Sequence, residues 1–350
     1  MVNKVKAFAS FNEKDDLREF EFTQRELTED DILVDILYCG VCHSDLHIAK
    51  NDFGRTIFPI VPGHEIIGIV KECGKNVSKL KIGDYVGVGC LVGSCGHCIR
   101  CKQDTEQHCK DYIMTFNSRD DKANRQTFGG YATEIIANQK FVYSIGKNLQ
   151  KNLPATASLL CAGITTYAPL KRWAKKGDRV AILGLGGLGH MAIKFANSFG
   201  CEVTVLSTSP NKKEDALKLG AKHFELSTPE NLSKLLGKFD VIISTISGEI
   251  DYASYMQTLD IYGVIVLLGI HPTPSALRSG SVIYGEKIVT GSLIGGTTQT
   301  QEMLDYCDAN NIFCDIEIIN MQDINRAYQR MLKSDVKYRF VIDMKSLKEI

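Results

Sequence analysis

No charge of either sign predominates in this chain: 41 Lys and Arg stand against 41 Asp and Glu in 350 residues. Proteins that track a nucleic-acid backbone carry a basic surplus to displace phosphate counterions, so no nucleic-acid partner is expected. Nowhere is there an apolar run of about 18 residues, the length a helix needs to cross a bilayer, so no membrane partner is expected either. The first ten residues are short and mixed, without the apolar stretch of a secretory leader, and the expected location is the cytoplasm. Internal repeats and low-complexity segments are also missing. What remains is a globular composition, 44% hydrophobic and 23% charged. Its length exceeds what one ordinary core holds, so two domains are expected.

Cysteine, by contrast, is plentiful, with twelve in the chain. In a reducing compartment these should be thiols or metal ligands rather than disulfides. Four fall together: Cys95-x-x-Cys98-x-x-Cys101, then seven residues, then Cys109. Zinc takes four tetrahedral ligands, and four thiolates make a closed structural site with no position for substrate. The segment has glycines and lysines but too little apolar material for a core of its own, so metal is expected to hold its shape. On spacing alone two other readings stay open, unpaired loop thiols and iron–sulfur ligation. For a ferredoxin-like cluster the fourth cysteine is too distant and lacks the proline that follows it.

The pattern of elements changes along the chain. Up to residue 90 it is β-rich, with short apolar runs at Val34–Leu37 and Ile66–Val70. Residues 91–125 form the polar cysteine excursion, and Gly129–Ala137 returns to a strand pattern. From about residue 155 strands and helices alternate: strand Asp178–Leu183, helix Leu188–Phe199, strand Val203–Leu206, helix Lys212–Leu219, strands Val241–Ser244 and Val264–Leu268. That alternation marks a doubly wound parallel sheet. A helix over Gln301–Asn310 and a terminal strand Arg339–Ile342 follow.

Gly184-Leu185-Gly186-Gly187-Leu188-Gly189 lies between the first of these strands and its helix. In this context G-x-G-x-x-G binds a dinucleotide. The first glycine makes the turn, the second admits the pyrophosphate, and the third packs helix on strand, with the helix N-terminus facing the phosphates. NAD enzymes usually carry an acidic residue about 20 residues later, on the ribose hydroxyls. Here Ser207, Thr208 and Ser209 occupy that place, followed by Lys212 and Lys213. A carboxylate would repel a 2′-phosphate, whereas hydroxyls and a lysine attract it, so NADP(H) is expected.

Two further segments carry metal-ligand types: Gly40-Val41-Cys42-His43-Ser44-Asp45-Leu46-His47, and Gly63-His64-Glu65; Cys161 is a further candidate. Singly each is ordinary; a lone Cys161 is commonly a small core residue. Their co-occurrence with the cysteine excursion and the glycine turn gives them weight.

Together these features resemble the zinc-containing medium-chain alcohol dehydrogenases, and within them the cinnamyl alcohol dehydrogenase branch. The resemblance runs through Gly40–His47, Pro62–Glu65, the cysteine excursion, Phe128–Tyr131, Leu159–Tyr167, Gly184–His190, Ser207–Lys213 and Tyr338–Asp343. It implies a GroES-like, β-rich catalytic domain over residues 1–155, completed by 294–350, and a Rossmann dinucleotide-binding domain over 156–293. It implies a catalytic zinc on Cys42, His64 and Cys161, with Glu65 as an alternate ligand and Asp45 accepting from the free nitrogen of His64. A second, structural zinc falls to Cys95, Cys98, Cys101 and Cys109. In the implied reaction zinc polarises an aldehyde, NADPH gives hydride, and a proton passes through Ser44 and His47, with Thr165 beside the nicotinamide. The expected substrates are primary alcohols and aldehydes of cinnamyl, benzyl or aliphatic type. The expected assembly is a homodimer, with Gly285–Gly296 near the subunit contact. Two other functions are weighed. An NAD-dependent polyol or secondary alcohol dehydrogenase is disfavoured by Ser207 and Cys161. A zinc-binding protein without activity is disfavoured by the second ligand set and the glycine turn.

Overall fold

The computed structural model describes residues 4–120, 124–270 and 277–349. The chain forms two compact units, residues 1–161 with 295–350, and residues 162–294.

The first unit is built on a sheet of seven strands among the described residues. Its axis is the long strand Asp31–Val41, flanked by Ile66–Cys73 on one side and Arg339–Asp343 on the other, both antiparallel to it. Apolar residues from these strands and from the neighbouring strand Tyr85–Val88, including Ile36, Val41, Ile66, Val86 and Phe340, are fully buried in one core. The register decides what happens at the strand ends. Cys39 pairs with Ile66, and Val41 with Phe340. The residues just past Val41, just before Ile66 and just before Phe340 therefore meet at one corner. They are Cys42, His64 with Glu65, and Arg339.

The Gly129–Ala137 strand pattern is only partly a strand, Glu134–Asn138. Gly129 and Gly130 instead brace the loop carrying His64. The Gly129 N–H donates to Val61 O at 2.8 Å and the Gly130 N–H to Gly63 O at 2.9 Å. A Cβ at Gly129 would lie 2.4 Å from the Gly63 carbonyl oxygen, so only glycine permits this approach.

The second unit is a six-stranded parallel sheet in the order His223–Leu226, Glu202–Ser207, Arg179–Leu183, Phe239–Ser244, Leu259–Leu267, Ile288–Gly291. This is the doubly wound order that places a nucleotide at the first strand's carboxyl end. Arg179–Leu183 is buried on both faces, as the interior of a parallel sheet requires. The Val264–Leu268 strand begins five residues earlier than its apolar run, at Leu259. Asp260, Tyr262 with φ 63° and Gly263 interrupt the pattern there, and the ladder to its neighbour shifts register. The helix expected over Gln301–Asn310 likewise starts earlier, at Thr297, for a long-range reason given below. Among the described residues no single helix is long and apolar enough to cross a membrane.

Candidate active site

The short helix His43–Ala49 organises the first site. Cys42 is its N-cap, and Asp45 sits in its first turn. The Asp45 carboxylate is fully buried and has three partners. The Cys42 N–H donates to Oδ2 at 2.8 Å, the Gly63 N–H donates to Oδ1 at 2.9 Å, and His64 Nδ1 is also 2.9 Å from Oδ1. One side chain thus ties the helix to the His64 loop. With Nδ1 held by a carboxylate, the other ring nitrogen of His64 is left to face Cys42.

Cys161, which follows the turn Ser158–Leu160, completes the corner. The sulfurs of Cys42 and Cys161 are 3.9 Å apart. Cys42, His64, Glu65 and Cys161 each offer one ligand atom, all within 4.8 Å of one another and all buried. The hydrogen bond from Cys161 pushes the Cys42 thiol well down, against burial and with help from the Arg339 charge. The same hydrogen bond, one from Cys90 and burial push Cys161 well up. Burial lifts Glu65 to about 7 despite Arg339, whose guanidinium nitrogen is 3.4 Å from it. Neither Glu65 oxygen has a hydrogen-bond partner. Two crowded sulfurs, an imidazole nitrogen and an unsatisfied buried carboxylate suit a dication, which would neutralise them together.

Ser44 is exposed, with its oxygen 3.8 Å from the Cys42 sulfur. His47, one helical turn on, has Nδ1 2.6 Å from the Asp52 carboxylate. Asp52 and Arg339 escaped the sequence reading. Asp52 lies only five residues past His47, but its approach depends on how the helix ends. Arg339 is brought in solely by strand register.

The four-cysteine excursion is folded around its sulfurs. Cys98–Cys101, Cys95–Cys109 and Cys95–Cys101 are 3.5, 3.5 and 3.8 Å apart. The edge of a zinc–thiolate tetrahedron is about 3.8 Å for bonds of about 2.3 Å. The Cys101 backbone N–H, helped by neighbouring thiols, brings Cys98 down to about 6. From the same segment Glu106, fully buried, reaches the helix Thr297–Asn310. It accepts the Thr297 N–H at 3.0 Å and faces the Thr297 hydroxyl at 3.2 Å, while Lys140 lies 2.5 Å away. This accepted N–H explains the earlier helix start, because it caps the first turn from 191 residues away.

In the second unit the glycine turn has the geometry its spacing predicts. Gly184 has φ 88°, and a Cβ at Gly189 would lie 2.1 Å from the Gly184 oxygen. A Cβ at Gly186 would meet nothing within 4 Å, so the space above it is open. Gly187 and Leu188 lead into the helix Gly189–Ser198. Ser207 ends the next strand, and its oxygen accepts the Ser209 N–H at 3.2 Å. Thr208 is exposed. Half-buried Lys212 turns back to the glycine turn and donates to Leu185 O at 2.9 Å, whereas Lys213 is exposed. Thr165 is buried on the helix Ala162–Trp173.

Comparison with known proteins places this architecture. Residues 28–147 match the alcohol dehydrogenase GroES-like domain, and residues 187–309 match the zinc-binding dehydrogenase domain. An NADP-dependent alcohol dehydrogenase of Mycolicibacterium smegmatis is 44% identical, over 99% of this chain and 100% of its own length. The chain belongs to the zinc-containing medium-chain alcohol dehydrogenases. Among solved structures, a cinnamyl alcohol dehydrogenase of Sorghum bicolor aligns with a TM-score of 0.95 at 37% identity, over 98% of each chain. The crystal structure of CAD from Helicobacter pylori complexed with NADP(H) aligns at 0.92 and 41% identity, over 99% of each. As in other alcohol dehydrogenases of this family, a GroES-like domain here accompanies a Rossmann domain.

Proposed function

We propose that this alcohol dehydrogenase interconverts primary alcohols and aldehydes, of cinnamyl, benzyl or aliphatic type, using NADP(H). Cys42, His64 and Cys161 would hold a catalytic zinc, and Cys95, Cys98, Cys101 and Cys109 a structural one. The buried cluster of two thiols, an imidazole and an unsatisfied carboxylate carries the reading. At the cysteine excursion the sulfur spacing supports a single ion. The inorganic sulfides of a cluster would hold four thiolates further apart.

When bound, the zinc would act as a Lewis acid on the carbonyl and the nicotinamide would exchange hydride with its carbon. The chain's own residues orient and move protons. Asp45 fixes the ring of His64 and the amide of Cys42. Ser44 lies beside Cys42, where a hydroxyl can pass a proton to or from the substrate oxygen. His47 lies one turn further on, held through Nδ1 by Asp52, so its other nitrogen is free to exchange with water. At the coenzyme, Ser207, Ser209 and Lys212 offer hydroxyls and a cation to a 2′-phosphate, and the open space over Gly186 admits the pyrophosphate.

The test is an aldehyde panel with NADPH, run before and after complete chelation of metal. Reduction of aromatic or aliphatic aldehydes that vanishes on chelation is expected. Undiminished reduction by the metal-free enzyme refutes the reading.

A homodimer is part of the same proposal. Among the described residues Ile288–Gly291 pairs on one side only, and Ile283 and Tyr284 beside it are 68% and 82% exposed. An open edge flanked by apolar side chains invites a second copy. Tyr284→Lys with Ile288→Lys should give a monomer in analytical ultracentrifugation; a wild-type protein that is already monomeric overturns this. None of the twelve cysteines is in a disulfide, and six of them are the zinc ligands proposed above, which fits a reducing compartment such as the cytoplasm.

A further inference from the structure

We propose that Gly40, Ser158 and Arg339 form a resting pocket for the Glu65 carboxylate, with Ser158 as the positioning residue that holds it back from Cys42, His64 and Cys161. The inference rests on the zinc reading above.

The pocket is visible in what a side chain at Gly40 would meet. A Cβ there would lie 2.0 Å from Glu65 Oε2 and 2.7 Å from Ser158 Oγ. Carboxylate and hydroxyl therefore share the volume that glycine leaves empty, one residue before the end of the strand Asp31–Val41. The Glu65 backbone is locked to the same strand, since the Gly40 N–H donates to its carbonyl at 2.9 Å. Only the side chain is left to move. Its other oxygen, Oε1, is 3.4 Å from the Arg339 guanidinium.

Ser158 is the odd member of this set. Its hydroxyl is fully buried and has no hydrogen-bond partner. A buried hydroxyl without a partner costs free energy, so it needs a client. It is turned toward the Glu65 carboxylate, although the pair stops short of full hydrogen-bond geometry. The same carboxylate is one of the four donors within 4.8 Å of one another. The Glu65 carboxylate thus lies at once beside the metal donors and over the recess, and a small side-chain movement decides which of them takes its charge. A hydroxyl in the recess biases it toward withdrawal. Withdrawal leaves the fourth metal position to a ligand from outside.

The experiment uses the full-length enzyme with cobalt(II) in place of zinc and imidazole as the outside ligand, read through the cobalt d–d spectrum. Ser158→Ala should weaken imidazole binding on the order of tenfold, the value of one hydrogen bond to a charged group. Its imidazole-free spectrum should shift from that of wild type, as a carboxylate oxygen replaces the outside ligand at the fourth position. Ser158→Thr keeps the hydroxyl and should bind imidazole like wild type. In a Glu65→Gln background, adding Ser158→Ala should change nothing further. Imidazole affinity within about twofold of wild type in Ser158→Ala overturns the proposal, as does an effect that persists in the Glu65→Gln background. Uptake of one cobalt rather than two, at the cysteine excursion alone, would instead show that the zinc reading itself has failed.

Discussion

Replacing Ser207 by aspartate is expected to reverse the coenzyme preference of this enzyme. Ser207 closes the second strand of the Rossmann sheet and is 7% exposed, with its hydroxyl held by the Ser209 N–H. Lys212 is tethered across the same opening to Leu185 O at 2.9 Å, so the cation and the serine border one space. A carboxylate at 207 would sit about 4 Å from a 2′-phosphate. One such like-charge pair costs roughly 4 kcal/mol at an effective dielectric of about 20. The site opens to solvent at Thr208, which screens about half of this, leaving about 2–3 kcal/mol. That corresponds to a change of roughly 30- to 150-fold in the ratio of kcat/KM for NADPH over NADH. The new carboxylate can also accept from the ribose hydroxyls, so the NADH value itself should rise. The assay is initial-rate aldehyde reduction with each coenzyme at low and high ionic strength, and the difference should shrink as salt rises. A ratio that moves less than about threefold, or a wild-type enzyme that already prefers NADH, would refute the assignment of Ser207 and Lys212.

Other outcomes follow from the same geometry. His47→Gln should lower kcat for aldehyde reduction and be rescued in part by added imidazole, and Asp52→Asn, which breaks the 2.6 Å pair, should lower kcat less; full activity in both variants excludes the relay. Glu106→Ala leaves the buried Thr297 N–H without its acceptor and should cost about 2–4 kcal/mol in chemical denaturation; a loss below about 0.5 kcal/mol would mean that the clasp is idle. Burial raises Glu106, but Lys140 and the Thr297 N–H outweigh it and hold the carboxyl below the ordinary glutamate value. Its contribution is therefore complete above that ordinary value and is lost as pH falls through the lowered one, so Glu106→Gln should flatten the acid limb of the stability curve. Cys98→Ser should halve bound zinc to one per chain and lower thermal stability; two zinc ions per chain in that variant would argue against the four-thiolate site.

Fold class was legible because its signals are local. Apolar strands such as Arg179–Leu183 are continuous, the glycines at 184, 186 and 189 stand at a turn, and strand–helix alternation needs only a short window. Much of the candidate site was legible through residue types, and Cys42, His64 and Cys161 do converge. What escaped depends on pairing across the chain. Arg339 enters the site because Phe340 sits opposite Val41. The helix after Gly296 begins where it does because Glu106 accepts its first N–H. Leu259 belongs to a strand despite Asp260 and Gly263, because it still pairs with Phe239 across an irregularity that its own strand makes before Val264. None of these facts has a signature within ten residues of the position it governs.

Asp45 gathers the Cys42 amide, the Gly63 amide and the His64 ring on one carboxylate. Those clients come from two segments, and all three bonds can form only if the helix and the His64 loop are both seated in their native register. A slip in either would strand a buried negative charge. The carboxylate thereby acts as a checkpoint on assembly: a misfolded chain is penalised before it can present a deceptive set of ligands to a metal ion.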